Sequence, residues 1–259
     1  MSDIRDFQTR TVNAAGVRTD ADIDAGLRAH MLKVYNLMAL GVALTGLLAY
    51  AFANAAVAND AQSAVAMFGK VPLTAFGAAI YASPLKWVVM LAPLAPVLFL
   101  SFGIERISVF TAQLLFWVYA ALVGVSLSSI FLIYTDASIV QTFAVTAASF
   151  AALSLYGYTT KRDLSAMGSF LVMGLFGLII ASLVNLFLQS SALNFAISAI
   201  GVLVFAGLTA WDTQKIKEMY LESDGFEAAG KKAIMGALSL YMDFINLFLF
   251  MLRFMGNRE

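Results

Sequence analysis

The last apolar segment of the chain contains the stretch LYMDFINLF at residues 240–248, in which the carboxylate of Asp243 stands among apolar side chains. The preceding apolar segment ends with WDTQKI at residues 211–216, which places Asp212 in similar surroundings. An acidic side chain at the centre of a membrane helix costs about 2.5–3.5 kcal/mol on insertion scales. We therefore expect both aspartates to be functional if these segments cross a membrane.

The composition identifies an integral membrane protein. Of the 259 residues, 61% are hydrophobic and 12% are charged, whereas about 25% of the residues in a soluble domain are charged. The mean hydropathy is +0.84. A net charge of zero without a polybasic run gives no indication of nucleic-acid binding. The absence of Cys and the single histidine, His30, exclude disulfides, thiol nucleophiles and metal sites built from Cys or several His residues.

Seven apolar segments approach the length of about 20 residues that a bilayer requires. Residues 1–23 are polar, lack the apolar core of a signal peptide, and are predicted to form a mobile cytoplasmic tail. Residues 24–256 are predicted to form one transmembrane domain. Its spans are expected at about residues 33–57, 85–104, 108–134, 138–158, 164–188, 193–217 and 233–255.

Three local patterns refine this outline. Pro93 and Pro96 predict a kink within the second span, because proline cannot donate a backbone hydrogen bond. Gly124 and Ser128 have the small-xxx-small spacing that permits close helix packing. Residues 60–86 contain too many Gly and Pro residues for a complete span, and they are predicted to be an extramembrane loop with a short amphipathic element.

Lys and Arg residues predict the orientation. The positive-inside rule places the side that is rich in these residues, and with it the N-terminus, in the cytoplasm. An odd number of spans then places the C-terminus outside, unless the seventh segment is re-entrant. The basic side carries Arg18, Arg28, Lys33, Arg106, Lys161, Arg162, Lys215, Lys217, Lys231 and Lys232, and the other side carries Lys70, Lys86, Arg253 and Arg258.

The two aspartates are predicted to lie at one membrane depth. If the sixth helix continues to about Glu222 and the seventh begins near Lys231, Asp212 and Asp243 both lie roughly 15–18 Å from the hairpin tip. Two like charges in a low-dielectric medium are costly to ionise together, so the pair is expected to share a proton and to titrate as a unit. This arrangement predicts a proton-sensitive gate, or a cation site when both acids are ionised.

Structural roles are also consistent with these residues. Asp212 lies five residues before Lys217 and could reach the membrane surface or pair with a backbone group. Asn246, three residues after Asp243, is either a support for the pair or a hydrogen-bonding partner across helices. Arg106 is a candidate counter-charge on the basic side, or simply an anchor at the membrane surface.

Three stretches carry a family resemblance. Residues 240–248, followed by LRF at 252–254, resemble the C-terminal signature of the Bax inhibitor-1 family, also called transmembrane Bax inhibitor motif proteins. Residues 211–216 are similar to the sixth-helix motif of that family, and GVSLS at 124–128 resembles its third helix. The resemblance covers about residues 30–256 and is to a bacterial member.

The resemblance implies an all-α membrane fold in which two three-helix layers surround a central C-terminal seventh helix. It also implies a pH-sensitive cation leak, usually assigned to calcium, without a cofactor. The paired aspartates of the family correspond to Asp212 and Asp243, and its latch arginine corresponds by position to Arg106. An acidic residue in the second helix of some members has no counterpart, because residues 91–99 are entirely apolar.

The predicted function is a pH-sensitive calcium or cation leak channel or transporter of the bacterial inner membrane. Asp212 and Asp243 would be its gate and would contact calcium. The alternative is a membrane-embedded modulator of a membrane protease or a stress-response complex, for which residues 1–23 would matter more than the acids. An intramembrane aspartyl protease also uses two acids, but neither aspartate follows a glycine, and no enzyme is expected. The expected partners are the lipid bilayer, cations and, for the alternative, a membrane protease.

Overall fold

The structure is a computed structural model that describes residues 20–60 and 62–257. Within these residues, seven helical spans are long and apolar enough to cross a membrane, which confirms the predicted all-α membrane fold. The predicted tail at residues 1–23 lies outside the described residues, apart from the start of the first helix. In order, the spans are Asp20–Ala56, Leu85–Leu91 with Leu94–Gly103, Val109–Leu127, Asp136–Thr159, Ser165–Leu188, Ser191–Glu218 and Phe226–Met255.

The seventh span occupies the centre of the bundle. It packs against the first and third spans on one side and against the fourth and sixth on the other. The second span packs on the third, and the fifth packs on the sixth. The central helix buries Leu238, Tyr241 and Leu247 almost completely. Two three-helix layers therefore surround a central C-terminal helix, as the family resemblance implies.

The seventh helix passes through the whole bundle. Its 30 residues extend about 45 Å at 1.5 Å per residue. Beyond its C-terminal end, the Asn257 N–H donates to Ser138 Oγ (2.9 Å) at the start of the fourth span. At the opposite end, Gly26 of the first span lies against Tyr220, which precedes the seventh helix. The two ends of the described chain thus lie on opposite sides, which excludes a re-entrant seventh segment.

Most basic residues gather at one end of the bundle. We call this the basic end, and the opposite end the far end. At the basic end, Lys232 Nζ donates to Asp224 Oδ2 (2.6 Å) and Lys231 Nζ donates to the Glu105 carbonyl (3.3 Å). The basic end carries Arg28, Arg106, Lys161, Arg162, Lys215, Lys217, Lys231 and Lys232.

The second span is interrupted where its prolines predict a kink. Its first helix ends at Leu91 and its second begins at Leu94, with Pro93 between them as the N-cap residue. Because proline lacks a backbone N–H, the helical hydrogen-bond ladder cannot continue unbroken through this position.

Residues 60–86 form a compact structure at the far end. Strands β1 (Ala66–Phe68) and β2 (Val71–Leu73) pair antiparallel across a two-residue turn. Gly69 begins this turn with a φ of +61°, a conformation that glycine adopts without steric cost. A short helical segment follows and packs Tyr81 beside the end of the first span. The segment is therefore a hairpin followed by a helical turn, rather than the loop with one amphipathic element expected from the sequence.

Small residues allow close contacts between helices. A Cβ atom added to Gly124 would lie 2.7 Å from the Thr45 carbonyl oxygen, so the first and third spans touch through their backbones. Gly157 approaches the Ala210 carbonyl even more closely, between the fourth and sixth spans. Ser128 is fully buried beside the third-span packing surface. The close packing predicted from Gly124 and Ser128 is thus confirmed.

Helix caps change several boundaries. The fourth helix begins at Asp136, two residues before the expected start, because the Thr135 hydroxyl accepts a hydrogen bond from the Ser138 N–H (3.3 Å). The sixth helix ends at Glu218 and the seventh begins at Phe226. The hairpin between them therefore begins and ends at other residues than Glu222 and Lys231, which were expected from the sequence.

Candidate functional site

Asp212 and Asp243 face each other between the sixth and seventh spans, within reach of a side-chain hydrogen bond. Asp243 is 5% exposed, and its Oδ2 atom is buried without a hydrogen-bond partner among the described residues. Two carboxyl groups can share a hydrogen bond only if one of them is protonated. The structure thus brings together the two aspartates identified in the sequence, in a geometry suited to one shared proton.

The antiparallel register of the sixth and seventh helices brings Asp212 and Asp243 together. A Cβ atom added to Gly236 would lie 3.0 Å from the Ile216 side chain, so the helices approach closely about one turn from Asp212 and two turns from Asp243. Asp212 lies six residues before the end of its helix, whereas Asp243 lies 17 residues after the start of its own. The nearly equal distances from the hairpin tip that the sequence argument assumes are therefore wrong. The pair forms because the seventh helix extends well beyond the sixth at the basic end.

The aspartates line a groove of about 680 Å³ between the fifth, sixth and seventh spans. The fifth span packs on the sixth rather than on the seventh, which leaves this space open. Ser239, Asp243, Asn246 and Arg253 of the seventh helix line the groove. Their spacings of four, three and seven residues place them on one helix face. Polar side chains therefore recur along this face over about 15 Å from Asp243 to Arg253 at the far end, with Phe250 between Asn246 and Arg253.

Packing is closed on the basic-end side of the pair. Ile216 is 1% exposed. Gln214 accepts a hydrogen bond from the Leu164 N–H and donates one to the Arg162 carbonyl, each at 2.8 Å. Lys217 Nζ donates to a carbonyl of the fourth span, also at 2.8 Å. The groove thus reaches the aspartates from the far half of the bundle, while the sixth span is fixed to its neighbours at the basic end.

Lys215 lies on the same helix as Asp212, and its positive charge favours the ionised form of that carboxyl group. It follows Asp212 by three residues, a spacing that brings side chains together on a helix surface. Its Nζ atom also lies 5.0 Å from the centre of the Trp211 ring. Lys215 is not among the counter-charges predicted from the sequence, although its three-residue spacing from Asp212 was a sufficient signal.

Arg106, the predicted counter-charge, is exposed in the turn Ile104–Arg106. The adjacent carbonyl of Glu105 accepts a hydrogen bond from Lys231 Nζ. Asp243 lies twelve residues beyond Lys231, about 18 Å along the seventh helix. Among the side chains that the structure describes, Arg106 forms no ion pair with either aspartate. The structure therefore does not bring Arg106 to the pair.

Asn246 lies one turn beyond Asp243 and lines the same groove. Its Nδ2 atom donates to the Met242 carbonyl at 2.8 Å, so this hydrogen bond stays within the seventh helix. In the part of the chain that the structure describes, no group of three or more His, Asp or Glu residues is arranged to hold a metal ion. A calcium ion takes six to eight oxygen ligands. The pair alone therefore offers an incomplete calcium site.

Buried hydroxyl groups connect the site to more distant helices. Tyr35 OH lies 2.6 Å from Ser154 Oγ, which in turn lies 2.9 Å from Thr213 Oγ1. This chain joins the first, fourth and sixth spans and ends next to Asp212. The sequence does not single out these contacts, because Ser and Thr residues in apolar runs do not reveal their partners.

The comparisons with known proteins agree with this architecture. The family described as Bax1-I, inhibitor of apoptosis-promoting Bax1, matches residues 27–259. The chain is 52% identical over 236 residues to an uncharacterized protein of Rickettsia prowazekii, covering 91% of this chain and 92% of the relative. It is 46% identical over 239 residues to the inner membrane protein YbhL of Escherichia coli, covering 91% and 94%. An uncharacterized membrane protein of Streptococcus pyogenes is 36% identical over 236 residues, covering 91% and 96%. This multi-pass membrane protein therefore belongs to the Bax inhibitor-1 family.

Proposed function

We propose that this protein is a pH-sensitive cation leak channel or transporter of the bacterial inner membrane, with Asp212 and Asp243 as its proton-sharing gate. The observation that carries the proposal is the contact between two carboxyl groups at the inner end of a groove. The inner-membrane location is supported by the E. coli relative, which is an inner membrane protein. The basic end is proposed to face the cytoplasm, as the positive-inside rule predicts.

The gate works through repulsion between the aspartates. With one shared proton, Asp212 and Asp243 attract each other and hold the sixth and seventh spans together. When that proton is lost, two negative charges face each other in a poorly solvated place and favour separation of the helices. Each pH unit changes the free-energy difference between the protonated and the deprotonated pair by about 1.36 kcal/mol per proton. The closed packing between Ile216 and Gly236 then opens, so cation flux rises with pH.

Calcium is the proposed ion, since two ionised carboxylates provide the hard oxygen ligands that it prefers. The pair supplies only part of a full ligand set, and water or backbone oxygens would complete it. Weak, incomplete coordination suits an ion in transit, because permeation requires that a bound ion also leave.

The test is calcium flux into proteoliposomes between about pH 6 and 8. Asp212→Asn and Asp243→Asn replace a carboxylate with a neutral amide, so flux in both variants should stay low and lose its dependence on pH. Asp163→Asn is the matched control in an exposed loop. The Ser165 side chain and N–H bond the Asp163 carboxylate and lower its pKa, so it stays ionised throughout this range. If both pair variants kept the wild-type pH profile, the gate would be rejected.

The alternative is a modulator of a membrane protease or stress-response complex. It depends on residues 1–23, which lie outside the described residues apart from the helix start at Asp20. A pull-down of membrane proteases with the full chain and with a chain lacking residues 1–23 tests it. Loss of a captured protease on truncation, together with normal capture by Asp243→Asn, would favour this alternative.

A further inference from the structure

The first and fourth spans leave a crevice between them, because each packs mainly on other helices. Near the basic end, this crevice widens to a cleft of about 770 Å³. Arg28, Tyr35 and Tyr158 contribute polar groups to its walls, while side chains such as Leu32 and Leu155 make much of the surface apolar. We call this space the basic-end cleft.

An apolar cavity of about 250 Å³ lies further along the interface between these two spans. Val42 lines it from the first span, and Val140 and Phe143 line it from the fourth. Phe143, Phe244 and Phe150 follow one another with ring-centre distances of 5.6 and 5.4 Å, and they lead back towards the basic-end cleft. The interface is thus polar and cationic near one membrane surface and apolar towards the membrane interior.

The basic-end cleft has positive charge, and none of its lining residues that the structure describes is acidic. Arg28 is exposed at its mouth and forms no ion pair among the side chains that the structure describes. Lys217 Nζ lies 5.5 Å from the centre of the Tyr158 ring and donates to the Tyr158 carbonyl, which places a second cation at the rim. Arg28 lies close to the start of the first membrane span, where lipid headgroups are expected.

We propose that this crevice is a binding site for an anionic phospholipid from the leaflet at the basic end. Its phosphate contacts Arg28, with Lys217 as a second positive charge, and an acyl chain lies between the first and fourth spans. Basic pockets between membrane helices suit such headgroups. A soluble phosphate would leave the apolar walls uncovered, and a zwitterionic lipid would leave the two cations only partly neutralised.

The bound lipid would contact a hydrogen-bonded floor. Ser154 is 3% exposed, so its bond to Tyr35 lies at the bottom of the cleft. The same serine bonds to Thr213 beside Asp212. A lipid in the cleft would therefore touch groups that hold the sixth span in place. This inference does not depend on the proposed leak function, since it concerns only binding.

Native mass spectrometry of the detergent-solubilised full chain tests the headgroup contact. We expect wild type to bind phosphatidylglycerol more tightly than phosphatidylcholine. Arg28→Gln should weaken phosphatidylglycerol binding by about fivefold, the effect of about one basic residue at a lipid surface. Lys33→Gln removes the same charge from the exposed surface of the same helix outside the cleft, and should leave the affinity unchanged. Equal affinities for wild type and Arg28→Gln would overturn the phosphate contact.

A second pair of variants tests the acyl-chain position. Ala151 lines the cleft, whereas its neighbour Ala152 is exposed and lies outside it. Ala151→Trp should fill the cleft and reduce the binding of both lipids, while Ala152→Trp should bind like wild type. Inorganic phosphate at millimolar concentration should not displace phosphatidylglycerol. Displacement by phosphate, or unaltered binding by Ala151→Trp, would overturn the lipid site. If Ala151→Trp fails to fold, the comparison of Arg28→Gln with Lys33→Gln still decides the proposal.

Discussion

Lys215 is placed to influence how readily the aspartate pair loses its shared proton. It lies on the same helix as Asp212, and its positive charge favours the ionised form of the Asp212 carboxyl group. Lys215→Gln removes a charge that favours the ionised carboxylate, so the rise in flux should move to higher pH. The shift should be less than about one pH unit, because Lys215 is exposed and screened by solvent and salt. Flux measured against pH at two ionic strengths checks this.

Arg106→Gln is the matched control at the same end of the bundle. Because Arg106 lies near Lys231, about 18 Å along the seventh helix from Asp243, its removal should leave the pH profile in place. The reverse result, a shift for Arg106→Gln and none for Lys215→Gln, would restore the arginine as the counter-charge implied by the family resemblance. It would also indicate that the helices rearrange before the pair titrates.

The sequence predicts the two aspartates of the site but not the groove or the hydroxyl contacts around them. Each of these differences has a physical reason. Two acids in apolar runs stand out because charge is costly in a membrane. Lys215 was equally visible from its three-residue spacing. The groove was not, because it depends on which helix the fifth span packs against. The hydroxyl contact between Tyr35 and Ser154 joins residues 119 positions apart, and such tertiary contacts do not follow from local pattern.

At the scale of helices, close packing of the fourth span on the sixth depends on one glycine. A Cβ atom at Gly157 would clash with the Ala210 carbonyl, and a backbone oxygen in a packed helix cannot easily move away. Gly157→Ala should therefore destabilise the fold by about 1–3 kcal/mol, the usual effect of overpacking. The loss should appear as a lower denaturant midpoint in mixed-micelle unfolding.

Gly177→Ala is the control within the fifth span, because a Cβ atom there meets no atom within 4 Å. Alanine is favoured over glycine in a helix by up to about 1 kcal/mol, so this variant should be neutral or slightly stabilised. Equal destabilisation by the two substitutions would show that the contact with the Ala210 carbonyl does not determine the result.

The helices also show what hydropathy can and cannot predict. Seven apolar segments, the interruption near Pro93 and the tight contact at Gly124 follow from local sequence, because each depends on one segment or one small residue. Helix ends depend on caps, so Thr135 begins the fourth helix before the apolar pattern requires it. The depth of Asp212 relative to Asp243 depends on register, which the contact between Gly236 and Ile216 sets.

At the scale of the whole molecule, two lateral openings lie on different sides of the central helix. One is the groove that contains the aspartates, between the fifth and seventh spans. The other is the crevice between the first and fourth spans. The sixth span borders the groove and is joined to the crevice through Thr213 and Ser154. Movement of the sixth span during gating would therefore shift Thr213 and alter its contact with Ser154 at the proposed lipid site.

The whole-molecule topology can be tested directly because the chain contains no Cys. Ser223 is exposed in the loop before the seventh helix at the basic end, whereas Asn59 and Asn257 are exposed at the far end. In cells, a membrane-impermeant maleimide should label Asn59→Cys and Asn257→Cys from outside the inner membrane. Ser223→Cys should be labelled only after the membrane is permeabilised. Labelling of Ser223→Cys alone in intact cells would show the opposite orientation, with the basic end outside the inner membrane. Protection of Asn257→Cys while Asn59→Cys reacts would contradict the complete crossing of the seventh helix, on which the central position of Asp243 depends.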